Sequence, residues 1–378
     1  MVSKHGHKSP AVKPWVWKKE HDQVNGRIDH TLLKAMTTVT DSIVALLKDS
    51  CLSRGTYLPD WHGLYFAADK QDSASRMTFG FECHFLVHAP SEPVGTSMNA
   101  ESSARIRVMA NYVELLFADT LLVNGKVFRT MKATATNRNG FTFFQFPAAG
   151  TGTAAVDSTT STDAAASPTD QRNLSSKAWL ITADPEKLPY IPVSRKEYLE
   201  VASLEVKAER EKLIATVKER APVRSAEKQK AEKEAAINDI NQSYSGVEAQ
   251  LRIRSFTRSY KTDEDYQKDQ IDKETAEVDA KLRLLDSLLT RGSAVELKKP
   301  AIVTVSAMNF EAFEDSLPGR KILYQVNPVY FDPSSTGAKA QCFLFCYDYD
   351  PSEPIARDID NTLNEKFDFK KLQALLGK

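Results

Sequence analysis

The sequence has little cysteine: Cys51, Cys83, Cys342 and Cys346 are the four in 378 residues. Four is too few for a disulfide framework to replace a hydrophobic core in a chain this long. Net charge is missing too, because 50 Lys and Arg are balanced by 50 Asp and Glu. Without a cation surplus little counterion release can drive association with nucleic acid, so no nucleic-acid partner is expected. No apolar run reaches the ~18 residues of a membrane span, and no transmembrane segment is expected. The sequence also lacks a P-loop, a G-x-G-x-x-G turn, a G-x-S-x-G elbow, an H-E-x-x-H pair and a paired C-x-x-C. These absences lean against an enzyme, and no cofactor is expected. Residues 1–14 are expected to be disordered. They lack the apolar stretch of a secretory leader, which leaves open both a cytoplasmic chain and an exported one that starts past its leader.

What the sequence does have is 42% hydrophobic residues, enough for a sizeable core, laid out in four regions. Residues 15–147 read as an α+β domain. Leu32, Met36, Val39, Ile43 and Leu47 recur at three- and four-residue steps, which predicts an amphipathic helix over 29–49 capped by Asp29. Met77, Phe79, Phe81, Cys83, Phe85 and Val87 alternate with Glu82, His84 and His88, the pattern of a half-buried strand. Ile106, Val108 and Ala110 alternate with Arg105, Arg107 and Met109 in the same way, Asn124-Gly125 predicts a hairpin turn, and residues 141–146 read as another strand. Residues 148–177 are rich in Ala, Ser and Thr and read as a linker or loop.

Residues 194–291 are densely charged and poor in Gly and Pro. Leu199, Val206 and Leu213 repeat every seven residues, Ala221-Pro222 stops that helix, and Ser225 caps the next. Ile237, Ile240, Tyr244, Val247 and Leu251 form one heptad seam. Ile271, Thr275, Val278, Leu282, Leu285 and Leu289 form another, behind a start at Thr262 followed by three acids. Two or three antiparallel helices are predicted, forming a coiled-coil arm. In residues 300–378, strands are expected over 301–306 and 321–326. Cys342–Tyr347, apolar on both faces, reads as a central strand. A helix from Pro354 with Ile355, Ile359 and Leu363, and a short one over 367–376, close the chain. This region reads as an α+β domain, with one sheet continuous with 15–147 and two separate sheets both left open. The predicted fold class is α+β: an antiparallel-sheet body with flanking helices, and an inserted antiparallel helical coiled-coil arm.

Trp179-Leu-Ile-Thr, the stretch from Leu188 through Pro-Tyr-Ile-Pro-Val-Ser-Arg-Lys-Glu-Tyr to Leu199, Lys299-Pro-Ala-Ile-Val303, Val326-Asn-Pro-Val-Tyr-Phe331 and Phe367-Asp-Phe-Lys-Lys-Leu372 carry a resemblance. So, more loosely, does Trp61-His-Gly-Leu-Tyr-Phe66. Over residues 179–378 the chain resembles a family of large uncharacterised exported bacterial proteins with no assigned activity. The resemblance implies an extracytoplasmic location, periplasmic or secreted, and transfers no catalytic residue.

Three functional readings are compatible with these features. The first is a non-enzymatic interaction or scaffolding protein whose arm meets a protein partner through a basic-aromatic tip, Arg252, Arg254, Phe256, Arg258 and Tyr260, at the turn before the last helix. A homodimer through the arm is a variant of it. The second is a glycan- or peptide-binding module with Trp61, His62, Tyr65 and His84 on an aromatic sheet. Without any site, residues 60–63 read as an aromatic turn packing on the sheet, with His62 bonded to backbone. The third is a hydrolase using His62 with distant partners. His84 and His88 lie ~13 Å apart along a strand, too far to hold one metal ion as a pair. Asp348, Asp350, Ser352 and Glu353 lack the glycine and distal Glu of a calcium loop and read as a strand-to-helix turn. Cys51–Cys83 is the one disulfide considered.

Overall fold

The computed structural model describes residues 17–50, 57–67, 76–87, 102–146, 174–304, 320–331 and 338–378. The chain opens with β1 (Lys18–Lys19), β2 (Gln23–Asn25), α1 (His30–Ser50), β3 (Tyr57–Phe66), β4 (Thr78–Val87) and β5 (Ser102–Ala110). It continues through β6 (Phe117–Val123), β7 (Lys126–Met131), β8 (Thr136–Arg138), β9 (Phe141–Phe146), β10 (Ser175–Thr182) and β11 (Tyr190–Pro192). Next are the helices α2 (Arg195–Arg220), α3 (Ala226–Ser243), α4 (Gly246–Ser259), α5 (Asp263–Arg291) and α6 (Ala294–Lys298). Then come β12 (Ile302–Thr304), β13 (Arg320–Val326), β14 (Cys342–Tyr349), α7 (Pro354–Glu365) and α8 (Phe369–Gln373). The structure is mixed α/β and divides into two units, residues 1–120, 129–191 and 324–378, and residues 121–128 and 192–323.

In the first unit a nine-stranded sheet runs in the order β1-β3-β4-β5-β14-β10-β9-β8, with β2 also beside β3. The pairs from β3 to β8 are antiparallel, whereas β1 and β2 join β3 in parallel. Gly63, Phe81, Val108, Phe345, Trp179 and Phe143 align in one row across six strands. Because side chains alternate along each strand, every such row lies on a single face. This face is buried under Met36, Ile43 and Leu47 of α1, Ile359 and Leu363 of α7, and Phe369 and Leu372 of α8. The helix predicted over 29–49 is α1, and the Asp29 carboxylate accepts from Thr31 N at 2.8 Å, as an N-cap should.

On the opposite face, Cys342, Leu344 and Cys346 of β14 pack with Ala178, Leu180 and Phe144 and with Leu116, Phe117 and Phe331. β14 is therefore buried on both sides, as its double apolar pattern predicts. It lies between β5 and β10, so strands from both ends of the chain share one sheet. The second sheet has the order β11-β13-β7-β6, with β12 beside β13. The predicted Asn-Gly hairpin joins β6 to β7, with Asn124 at φ 46° and Gly125 at φ 75°.

Two readings in the first unit need correction. Residues 60–63 are not a turn but part of the ten-residue β3. Gly63 serves the strand: a Cβ there would sit 2.6 Å from the Tyr65 ring and 2.8 Å from Asp22 Oδ1. The stretch read as linker also ends early, because residues 175–177 open β10. Residues 148–173 of it, the N-terminal 1–14 and His88 lie outside the described residues.

In the second unit α2 and α5 run antiparallel, with Arg210 Nε 2.6 Å from Asp279 Oδ1 and Gln267 Nε2 2.7 Å from the Ala221 carbonyl. Tyr198, Leu199, Ala202 and Val206 of α2 meet Val278 and Leu285 of α5 in a core that includes Phe128, Val303 and Leu323. The predicted boundaries are seen: Ser225 caps α3, and Thr262 with Asp265 forms a capping box on α5. The seam from Ile237 to Leu251 is corrected. The helix breaks at Tyr244-Ser245, Gly246 takes φ 61°, and α4 turns back along α3 until the Tyr260 hydroxyl donates to the Gln229 carbonyl at 3.2 Å.

Candidate functional site

Two surfaces gather the residues singled out in the sequence. The first is the sheet face that α1 does not cover, at β3, β4, β5, β14 and β10. Asp60, His84, Arg105, Asp348 and Ser176 stand opposite one another in turn, and His62, Glu82 and Arg107 form the adjacent row. Opposite charges in register attract across strands. Arg105 holds Asp348 at 2.7 and 3.1 Å, Asp348 accepts from the Ser176 hydroxyl, and Glu82 is 2.7 Å from His84 Nε2 and paired with Arg107. Burial alone would raise the Glu82 pKa. The hydrogen bond with His84 and the charges of Arg107 and Arg105 outweigh it and hold the carboxyl down at about 2. Asp60, by contrast, is lifted above the ordinary carboxylate range by burial.

This geometry separates the four residues proposed to bind a glycan or peptide. Trp61 and Tyr65 are 5% and 0% exposed in the helix-covered core, whereas His62 and His84 are on the other face with rings stacked 6.4 Å apart. Alternation along β3 forces the split, and the aromatic platform expected from the sequence does not form.

Ser176 is four strands from His62, the histidine of the hydrolase reading, ~19 Å at the usual interstrand spacing, and its hydroxyl is bonded to Asp348. Cys342 and Cys346 are buried with their thiols pushed up to about 12, far from a reactive thiolate. Cys83 is buried in the helix-covered core, and Cys51 lies outside the described residues, as does the pairing considered for it. Among the described residues no three His, Cys, Asp or Glu side chains cluster to hold a metal. Asp350 accepts from the Ser352 amide and hydroxyl at 2.8 and 2.6 Å, closing the turn before α7 as its polar sequence suggested.

The second surface is α4. The cluster expected at the turn before the last helix instead runs the length of α4 and divides between two sides. At 100° per residue, Ala249, Ile253, Phe256 and Tyr260 share one side. Ala249 is buried, the other three are half-buried, and the Lys233 ammonium lies 5.1 Å over the Tyr260 ring. Val247, Leu251, Arg254 and Arg258 share the opposite side, and all four are exposed. Arg252 stands between these sides, bonded to Glu248 at 3.2 Å with its guanidinium 3.9 Å over the Tyr244 ring. Val247 and Leu251 are the residues that heptad spacing misplaced, in a seam. The signal that would have found them is Tyr244-Ser245-Gly246, a break with a capping residue in the middle of an otherwise periodic run. Compared with protein-family models, curated proteins and solved structures, the chain matches none.

Proposed function

We propose that the protein is a non-enzymatic interaction or scaffolding protein, in which α2 and α5 form an antiparallel coiled-coil arm that presents the α3–α4 hairpin to a protein partner. The observation that carries this reading is the outward side of α4, where Val247 and Leu251 are 73% and 60% exposed one turn apart. Their helix is already anchored by its other side, so folding does not require them to be apolar. Solvent favours polar residues there, and a bulky apolar pair on a secured helix is the form a docking anchor takes. An extracytoplasmic location belongs to the same proposal and is supported by the resemblance over residues 179–378.

A photoreactive phenylalanine analogue at position 251 of the full chain, compared with one at Glu234 on α3, tests the reading in the native cells. A discrete protein product from 251 and not from 234 is expected. Equal or absent products at both positions would sink it.

A further inference from the structure

If α4 is a docking helix, on which the inference depends, its outward stripe also carries the chemistry of the partner. The order along the helix is apolar, apolar, basic, basic: Val247, Leu251, Arg254, Arg258. At 100° and 1.5 Å per residue these four fall within an arc of ~60° and span ~16 Å. Arg252 is paired with Glu248, whereas Arg254 and Arg258 are exposed and have no ion-pair partner among the described residues. Two unneutralised guanidinium groups thus continue the line begun by two apolar side chains.

We infer that the partner segment is an acidic amphipathic stretch of a different protein, which covers Val247 and Leu251 with apolar side chains and places carboxylates against Arg254 and Arg258. Charge and order together select this occupant. A second copy of α4 fits poorly: antiparallel, it sets Val247 against Arg258 and Leu251 against Arg254, and parallel, it sets guanidinium against guanidinium. A membrane surface also fits poorly. A helix lying in a bilayer interface keeps one side apolar along its whole length with basic residues at the flanks. Here the same side changes from apolar to basic along the axis. A carboxylate-bearing segment satisfies both halves, and arginine pairs with carboxylates through two parallel hydrogen bonds.

The test uses the full chain with the photoreactive group at 251, captured products being mapped to the peptide attached. Expected is a peptide of another protein with apolar residues and at least two carboxylates within about three helical turns. Its yield should drop roughly tenfold in R254E/R258E, while K228Q, which removes an exposed cation of α3 off the stripe, leaves it unchanged. Raising the salt concentration should weaken capture in parallel, an independent reading that requires no substitution. A captured peptide without carboxylates, or a yield indifferent to charge reversal and to salt, overturns the acidic-segment inference and leaves the docking helix standing. A product from a second copy or from lipid overturns it as well. Absence of any product above the Glu234 control removes the docking reading itself.

Discussion

At the scale of single residues, the first unit depends on polar groups whose partners come from distant parts of the chain. Asn111 is buried at φ 58°. Its amide donates to the carbonyls of Met77 and Lys339 at 3.2 and 2.9 Å, and its side-chain oxygen accepts from Gln341 N at 2.7 Å. Asn111→Ala leaves these backbone groups unsatisfied and strains the left-handed backbone, so a loss of roughly 2–4 kcal/mol is expected by denaturant titration. Asn111→Gly, which relieves φ but not the bonds, should recover about 1 kcal/mol of that. Equal losses in the two variants would show that backbone strain plays no part. Glu82 gives a pH signature. Its folded pKa is about 2 against an ordinary 4.5, so its stabilisation is complete above about pH 4.5 and is lost as pH falls towards 2. The contribution is at most about 3 kcal/mol. The difference in melting temperature between wild type and Glu82→Gln should therefore shrink between pH 5 and pH 2.5. A difference that stays constant across that range would mean that Glu82 is not held ionised by His84 and Arg107.

At the scale of elements, periodicity was informative where one face of an element is buried and misleading where the chain breaks inside a periodic run. Met36, Val39, Ile43 and Leu47 mark the buried stripe of α1, and Phe79, Phe81, Cys83 and Phe85 mark the buried side of β4. In both, tertiary packing follows the sequence period. Ile237 to Leu251 keeps heptad spacing too, but spacing carries no information about whether the backbone is continuous, and Gly246 at φ 61° ends the register. The aromatic candidate site was misread for a related reason. Trp61, His62, Tyr65 and His84 are near one another in sequence or across a strand pair, but strand alternation sends aromatics and imidazoles to opposite faces. A buried seam and an exposed stripe on α4 differ in energy. Were Val247 and Leu251 part of a buried seam, replacing both with Lys would cost several kcal/mol. Exposed as they are, V247K/L251K should melt within about 0.5 kcal/mol of wild type while losing co-purification of the partner. A large loss of stability would return them to a seam.

At the scale of the whole molecule, the sequence order of the regions hides which of them fold together. Composition separated residues 15–147 from 300–378 and left open whether they share a sheet. No local signal could decide this, because strand pairing is set by contacts between residues more than 200 apart, such as Arg105 with Asp348. β14 has β5 on one side and β10 on the other and is buried on both faces, so the last region supplies a central strand of the first unit. The α3–α4 hairpin stands in the opposite position. It leaves after Arg220 and returns at Thr262, and the two ends are already held together by the Gln267–Ala221 bond at 2.7 Å. The Arg224–Asp263 pair at 2.8 Å adds a second tie beside them. Its removal needs only a short loop and opens none of the buried clusters, which contain no residue of α3 or α4. Replacing residues 226–261 with a few Gly and Ser should therefore leave cooperative melting intact while abolishing co-purification of the partner. Truncation before Cys342 should instead remove the middle of the sheet, expose Trp179 and Val108 along both new edges, and leave a chain with no cooperative transition. If the hairpin deletion also lost its cooperative transition, α3 and α4 would have to be counted as core, and the outward stripe of α4 would need a structural explanation instead of a partner.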